Sequence, residues 1–219
     1  MYLYVAYAAA SLVMTAAAPY ALDPRLHSVI RGLPVGLLAV AALAGYARGD
    51  RRAVRLFVAL GLVASAAGDV LLPLVFLAGI GAFLGAHVLY IAALGLPRPR
   101  PGLQALALVP AAALWAVMYA VVTPRVPAEL YGPVVVYLSV ITLMLARALG
   151  RLLAARSAPA AWMLAGAACF VASDGLLALN RWVNAIPHEH VWVLGTYLAA
   201  QACIYRSVSG YRSIGVEHG

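Results

Sequence analysis

The sequence predicts an all-α polytopic membrane protein, a bundle of eight transmembrane helices. Three observations predict it. Of the 219 residues, 65% are apolar and only 10% charged, whereas a soluble domain is nearer a quarter charged. The mean hydropathy is +0.95. The apolar residues fall in runs close to the ~20 needed to cross the hydrocarbon core. Eight runs with short joins use nearly the whole chain, so residues 1–219 read as a single membrane-embedded domain.

The spans are placed at 2–20, 28–47, 54–73, 75–95, 103–122, 130–150, 160–180 and 190–208. The first resembles a signal peptide with a small-residue end, but it lacks a positive start and reads as a span. Prolines punctuate the joins: Pro24, Pro97/Pro99/Pro101, Pro124/Pro127, Pro159 and Pro187. Spans three and four nearly touch at Pro73. Gly81 and Gly85 form a GxxxG in span four, which predicts close helix packing there.

All 15 basic residues are arginine, and the net charge is +8. No soluble element offers a basic face, so nucleic-acid binding is excluded. The arginines report topology instead. Arg48, Arg51, Arg52, Arg55, Arg98, Arg100, Arg147, Arg151, Arg156, Arg206 and Arg212 fall on one side. Arg25, Arg31, Arg125 and Arg181 fall on the other. This asymmetry places both termini in the cytoplasm. The composition reads as bacterial, hence an inner-membrane protein. Cys169 and Cys203 lie within spans and read as small core residues.

An internal echo links VASAAGDVLLPL (63–74) with VASDGLLAL (171–179). The two segments lie four spans apart and run in the same direction, so they predict two four-helix halves in a parallel repeat.

Two acids lie within spans, Asp69 and Asp174; Asp23, Asp50, Glu129, Glu189 and Glu217 fall in joins or the tail. A carboxylate at membrane depth costs about 2.5–3.5 kcal/mol and normally faces a cavity or a partner. Asp69 lies about 21 Å of helical rise beyond Arg55, and Asp174 about 27 Å beyond Arg156. Both therefore sit toward the non-cytoplasmic ends of parallel helices. Two carboxyls facing one dry cavity can hold one proton between them, leaving one acid and one base. That is the equipment of acid–base hydrolysis. The structural alternative is that each Asp caps a helix or bonds to Ser, Asn or Tyr.

Other polar residues are candidates for the same cavity. Ser65 stands four residues before Asp69, on one face. Ser173 and Asn180 share a face beside Asp174. His87 and Tyr90 lie on span four, and Tyr197 and Gln201 on span eight. Each also has a bland reading, as packing or interfacial residues. His87, His188 and His190 with the aspartates would suffice in number for zinc, but the two loop histidines and His87 lie at different depths, and no metal is expected. No phosphate loop, GxSxG elbow or HExxH occurs, and no cofactor is expected.

At these residues the chain resembles the YhhN family. GDVLLP (68–73), GAFLGAHVLYIAAL (81–94), SDGLLALNRW (173–182) and GTYLAAQACI (195–204) carry the resemblance. It implies an eight-helix membrane enzyme that hydrolyses the vinyl ether bond of lysoplasmalogen, with membrane lipid and water as partners. The products are a fatty aldehyde and a glycerophosphoethanolamine or glycerophosphocholine. The family's GD and SD aspartates fall on Asp69 and Asp174, and its polar positions on His87, Tyr90, Asn180, Tyr197 and Gln201. Either carboxyl could be the acid; the surroundings of Asp174, which read as drier, favour it for that role, with Asp69 as the base. Arg181 lies about 10 Å of helical rise past Asp174, where it could meet the lipid phosphate. The competing classes are a proton-coupled transporter or lipid-binding protein, and a membrane scaffold. Neither Asp-bearing span has the broken midpoint expected of a carrier.

Overall fold

The computed structural model describes residues 2–17, 23–45, 52–95 and 100–209. These residues form eight α-helices: α1 (Tyr2–Ala17), α2 (Pro24–Gly45), α3 (Arg52–Leu71), α4 (Phe76–Gly95), α5 (Pro101–Val122), α6 (Ala128–Ala155), α7 (Ala158–Trp182) and α8 (Glu189–Ser209). A short 3-10 turn, Thr123–Arg125, joins α5 to α6. Arg48, Asp50, Arg51, Pro97, Arg98, Pro99, Arg212 and Glu217 lie outside the described residues.

Six helices, α2 to α7, are long and apolar enough to cross a membrane. The other two expected spans differ in kind. α1 is apolar but only 16 residues long. α8 has the length, at 21 residues, but it carries Glu189, His190, Thr196, Gln201, Arg206 and Ser207.

Local chemistry explains the helix ends. Asp23 caps α2, its Oδ1 accepting from the backbone N–H groups of Arg25 (2.9 Å) and Leu26 (3.2 Å). Proline in the first turn starts α5 and α7, where its missing N–H is no loss. Arg156, the C-cap of α6, adopts the left-handed conformation, φ 44°, and only Arg156 and Ser157 separate α6 from α7. That position usually takes glycine, so the turn is tight.

Six helices close into a ring. α2 packs on α3, α3 on α4, α4 on α6, α6 on α7, α7 on α8, and α8 returns to α2. α1 lies outside against α2 and α8, and α5 lies outside against α6 and α7. Tyr7 pins α1 by donating its hydroxyl to the carbonyl of Leu198. α3 and α7 therefore stand on opposite sides of the ring.

The predicted GxxxG does not make the close contact. A Cβ added at Gly81 or Gly85 would meet nothing within 4 Å. The α3–α4 seam is instead tightened by Gly61, which lies under the Tyr90 ring, and by Gly68, where an added Cβ would stand 2.8 Å from Phe83. The spacing of Gly81 and Gly85 was right for a packing motif, but that face of α4 points away from its partners. Cys169 and Cys203 are half-buried and unbonded.

Candidate active site

The ring leaves a cavity at the end of the bundle where α3 and α7 finish. Asp69 lies 17 residues from the first residue of α3, and Asp174 lies 16 from that of α7. At 1.5 Å per residue both carboxyls stand about 25 Å along their helices. The true helix starts thus equalise depths that differed when counted from Arg55 and Arg156. Both aspartates line one cavity of about 130 Å³. That is room for several waters, since one needs roughly 10–15 Å³.

Each carboxyl is held by one tyrosine from a neighbouring helix. Tyr197 on α8 donates its hydroxyl to Asp69 Oδ2 at 2.6 Å. Tyr137 on α6 donates to Asp174 Oδ2 at 2.6 Å. These distances lie in the short, charge-assisted range. The arrangement meets the expectation that an intramembrane carboxyl has a polar partner. It also satisfies the purely structural alternative of an Asp bonded to Tyr. Asp69 is the more buried of the two, at 3% exposure, whereas Asp174 is only partly buried. This reverses the expectation that Asp174 has the drier surroundings: α5, which lies outside the ring, packs mainly on α6 and only slightly on α7, the helix that carries Asp174.

Of the other predicted residues, Ser173, Arg181 and Tyr197 line the cavity. Ser173 is nevertheless tied back, donating to the carbonyl of Val193 at 3.0 Å. Ser65, His87, Tyr90, Asn180 and Gln201 are not on the wall. Tyr90 donates to Gln201 Oε1 at 3.1 Å and shares a 3.3 Å hydrogen bond with Ser65. This buried cluster lies in the interior behind the Asp69–Tyr197 pair; Gln201 is one turn past Tyr197 on α8. His87 is fully buried, its ring 4.5 Å from that of Phe170 and 5.3 Å from that of Tyr137, edge to face. Asn180 accepts from the backbone N–H of Ile186 at 2.8 Å and so ties down the turn into α8. Their helical positions were read correctly, but helical spacing alone does not say which neighbour closes over a face.

Two wall residues escaped the sequence reading as site residues. Tyr137 sits in the apolar run VVVYLSVITL. Val134 and Ile141, three before and four after it, also line the cavity, so a hydroxyl on that apolar face was the available signal. Arg31, counted only as a topology charge, lies inside α2 and lines the cavity with Asp69. An added Cβ at Gly32 would stand 2.7 Å from Val70 of α3, so α2 and α3 meet closely at this level.

The mouth is built by Phe76 of α4 with Arg181 and Trp182 of α7. The Arg181 guanidinium lies over the Phe76 ring at 4.0 Å, and Phe76 meets Trp182 edge to face at 6.3 Å. Arg181 is exposed. Most of the remaining wall is apolar, including Leu72, Ile80, Leu114, Met118 and Leu138. Among the described residues no group of three metal-ligating side chains occurs. The arrangement can place a pair of oriented carboxyls against a mostly apolar guest with water present.

Comparison with protein families matches residues 26–208 to the YhhN family. Among curated proteins, the chain is 37% identical to lysoplasmalogenase TMEM86B of Sus scrofa over 150 residues, 68% of this chain and 61% of that one. It is 32% identical to lysoplasmalogenase TMEM86A of Homo sapiens over 209 residues, 88% of this chain and 82% of that one. It is 33% identical to lysoplasmalogenase of Mycobacterium bovis over 178 residues, 77% and 64% of the two chains. The chain spans about three fifths of the length of the pig and human TMEM86B proteins it matches. No solved structure matches it.

Proposed function

The chain belongs to the YhhN family, and on that premise we propose that it is a lysoplasmalogenase-like integral membrane hydrolase acting on vinyl ether lipids. The observation that carries the reading is the pair of tyrosine-held carboxyls on the wall of one cavity. The names of its relatives supply the substrate class.

A vinyl ether is hydrolysed through protonation of its β-carbon. Asp174, as the acid, gives that proton, and the enol ether becomes an oxocarbenium ion. Ionised Asp69 stabilises the cation and takes a proton from the water that adds to it, giving a hemiacetal. Asp174 then removes the hemiacetal hydroxyl proton while Asp69 protonates the departing glycerol oxygen. Aldehyde and alcohol leave, and both acids return to their starting states. Glycosidases divide the work of two carboxylates in the same way around the same kind of cation. The base role goes to Asp69 because α2 and α3 meet closely at the level of Arg31, and the charge of that guanidinium on the same cavity wall favours a carboxylate there. The tyrosines orient the carboxyls, Ser173 shapes the wall, and Arg181 meets the lipid phosphate. Proton transfer and water suffice, so no cofactor takes part.

The membrane setting follows the same reading. We take all eight helices as spans, with both termini in the cytoplasm of a bacterium and the cavity opening on the far side of the inner membrane. The arginine distribution supports this: Arg52, Arg55, Arg147, Arg151, Arg156 and Arg206 lie at the end of the bundle away from the cavity. The ring order supports the parallel repeat, because exchanging α2 with α6, α3 with α7 and α4 with α8 preserves it.

A second reading, a proton-coupled carrier, draws on the buried Ser65–Tyr90–Gln201 cluster behind Asp69. One experiment separates the two. Protein purified in detergent should release fatty aldehyde from lysoplasmalogen. Asp69→Asn and Asp174→Asn should each lower the rate by about 10²–10⁴-fold, the usual contribution of an acid or base. Proton-dependent lipid uptake in proteoliposomes without aldehyde release would favour the carrier. Full activity in either Asn variant would overturn the two-carboxyl mechanism.

A further inference from the structure

We infer that Arg31 and Arg181 form an anion clamp in the cavity, with Arg31 the residue that selects lipids bearing a phosphodiester. The inference rests on the lipid-hydrolase reading and adds to it the half of the site that recognises the headgroup.

Arg31 lies within a membrane-crossing helix, not beyond its end. A guanidinium there is costly unless it faces a cavity or a partner. It does line the cavity, and its Nε is buried with no hydrogen-bond acceptor among the described residues. Asp69 does not serve it: that carboxyl accepts from Tyr197, and no hydrogen bond reaches it from the Arg31 Nε. A buried, orphaned donor atom on a half-buried cation calls for an anion that is absent from the protein itself. A phosphodiester fits the planar fork of a guanidinium with paired N–H···O bonds.

Arg181 completes the clamp from α7, which only α8 separates from α2 around the ring. Stacking on Phe76 fixes the plane of its guanidinium and leaves the N–H edges free. The cavity then holds two guanidinium and two carboxyl groups. With one of the two carboxyls protonated, as the proposed mechanism requires, these carry a net charge of one positive unit, which a single phosphodiester neutralises. The spacing agrees. From phosphorus to the β-carbon of the vinyl ether is seven bonds, about 8 Å extended at roughly 1.2 Å per bond. Asp174 and Arg181 are seven residues apart, about 10 Å of rise. A phosphate held at the arginines thus brings the carbon to be protonated near the carboxyls.

The test uses lipids that bind without reacting: a saturated alkyl-ether lysophosphocholine and the matching alkylglycerol, which lacks the phosphate. Binding is measured on the full chain in neutral detergent. The wild type should bind the phosphocholine lipid about 10–100-fold more tightly, the scale of a desolvated charge-assisted contact. Arg31→Gln should erase most of that preference while leaving alkylglycerol affinity unchanged, which also reports that the variant is folded. Arg31→Lys should recover part of it. An unchanged preference in Arg31→Gln would overturn the inference, and so would equal loss of both lipids in Arg31→Gln and Arg31→Lys. Inorganic phosphate at the concentration of the lipid should not displace it; displacement would assign the arginines to a free anion and refute the headgroup role. Because the alkyl ether is never hydrolysed, absence of aldehyde release from lysoplasmalogen would sink the hydrolase reading alone.

Discussion

Tyr137→Phe removes one hydroxyl and nothing else. The ring keeps its edge contact with His87 at 5.3 Å and its place on the cavity wall. What disappears is the 2.6 Å hydrogen bond to Asp174 Oδ2. That bond fixes the carboxyl plane, so that the other oxygen presents its proton toward the cavity. Hydrogen bonds to charged groups are worth about 1.5–3 kcal/mol in proteins, and Asp174 becomes charged as it gives up its proton in the transition state. At about 1.36 kcal/mol per decade the loss corresponds to a fall of about 10- to 150-fold in rate. The bond orients the acid and does not touch the resting lipid, so the fall should appear in kcat with little change in KM. Aldehyde release is followed by coupling it to an alcohol dehydrogenase and recording NADH consumption, with thermal unfolding in the same detergent as the control. A kcat within about three-fold of wild type, below the hydrogen-bond range, would refute the reasoning. A fall in activity that simply tracks loss of folded protein would refute it equally.

Tyr197→Phe removes the equivalent bond from Asp69 and should also lower kcat about ten-fold or more, and steady-state kinetics on the two single variants and the double variant will show whether the effects multiply. Gly68→Ala drives a Cβ to 2.8 Å from Phe83 and should destabilise by about 1–3 kcal/mol. Gly81→Ala meets nothing within 4 Å and should be neutral or stabilising by up to about 1 kcal/mol; thermal unfolding of the pair compares a packed with an unpacked helical glycine. Asn180→Ala loses the acceptor for the Ile186 N–H and should cost about 1 kcal/mol of stability with near-normal aldehyde release, read by unfolding and activity side by side.

Residue chemistry along the chain was enough to define an all-helical membrane bundle and its eight helices. Those features depend on run length, proline and charge, and each is local. That Asp69 and Asp174 need a partner or a cavity was equally legible, because a carboxyl in an apolar helix is expensive wherever that helix packs. Matching depths on parallel helices were legible too, since helical rise is constant.

What only the tertiary structure decided is which side chains from distant helices meet. Tyr137 lies 37 residues from Asp174, and Tyr197 lies 128 from Asp69. No periodicity in either helix announces its partner. The same limit separated Tyr90, Gln201, His87 and Asn180, which share helices with the wall but turn away from it, from Arg31, which turns toward it. Gly81 and Gly85 had the right spacing for close packing, and the contact went to Gly61 and Gly68. A helix presents every face to the sequence on equal terms. Ring closure decides which faces become seam, which become cavity and which are left outside.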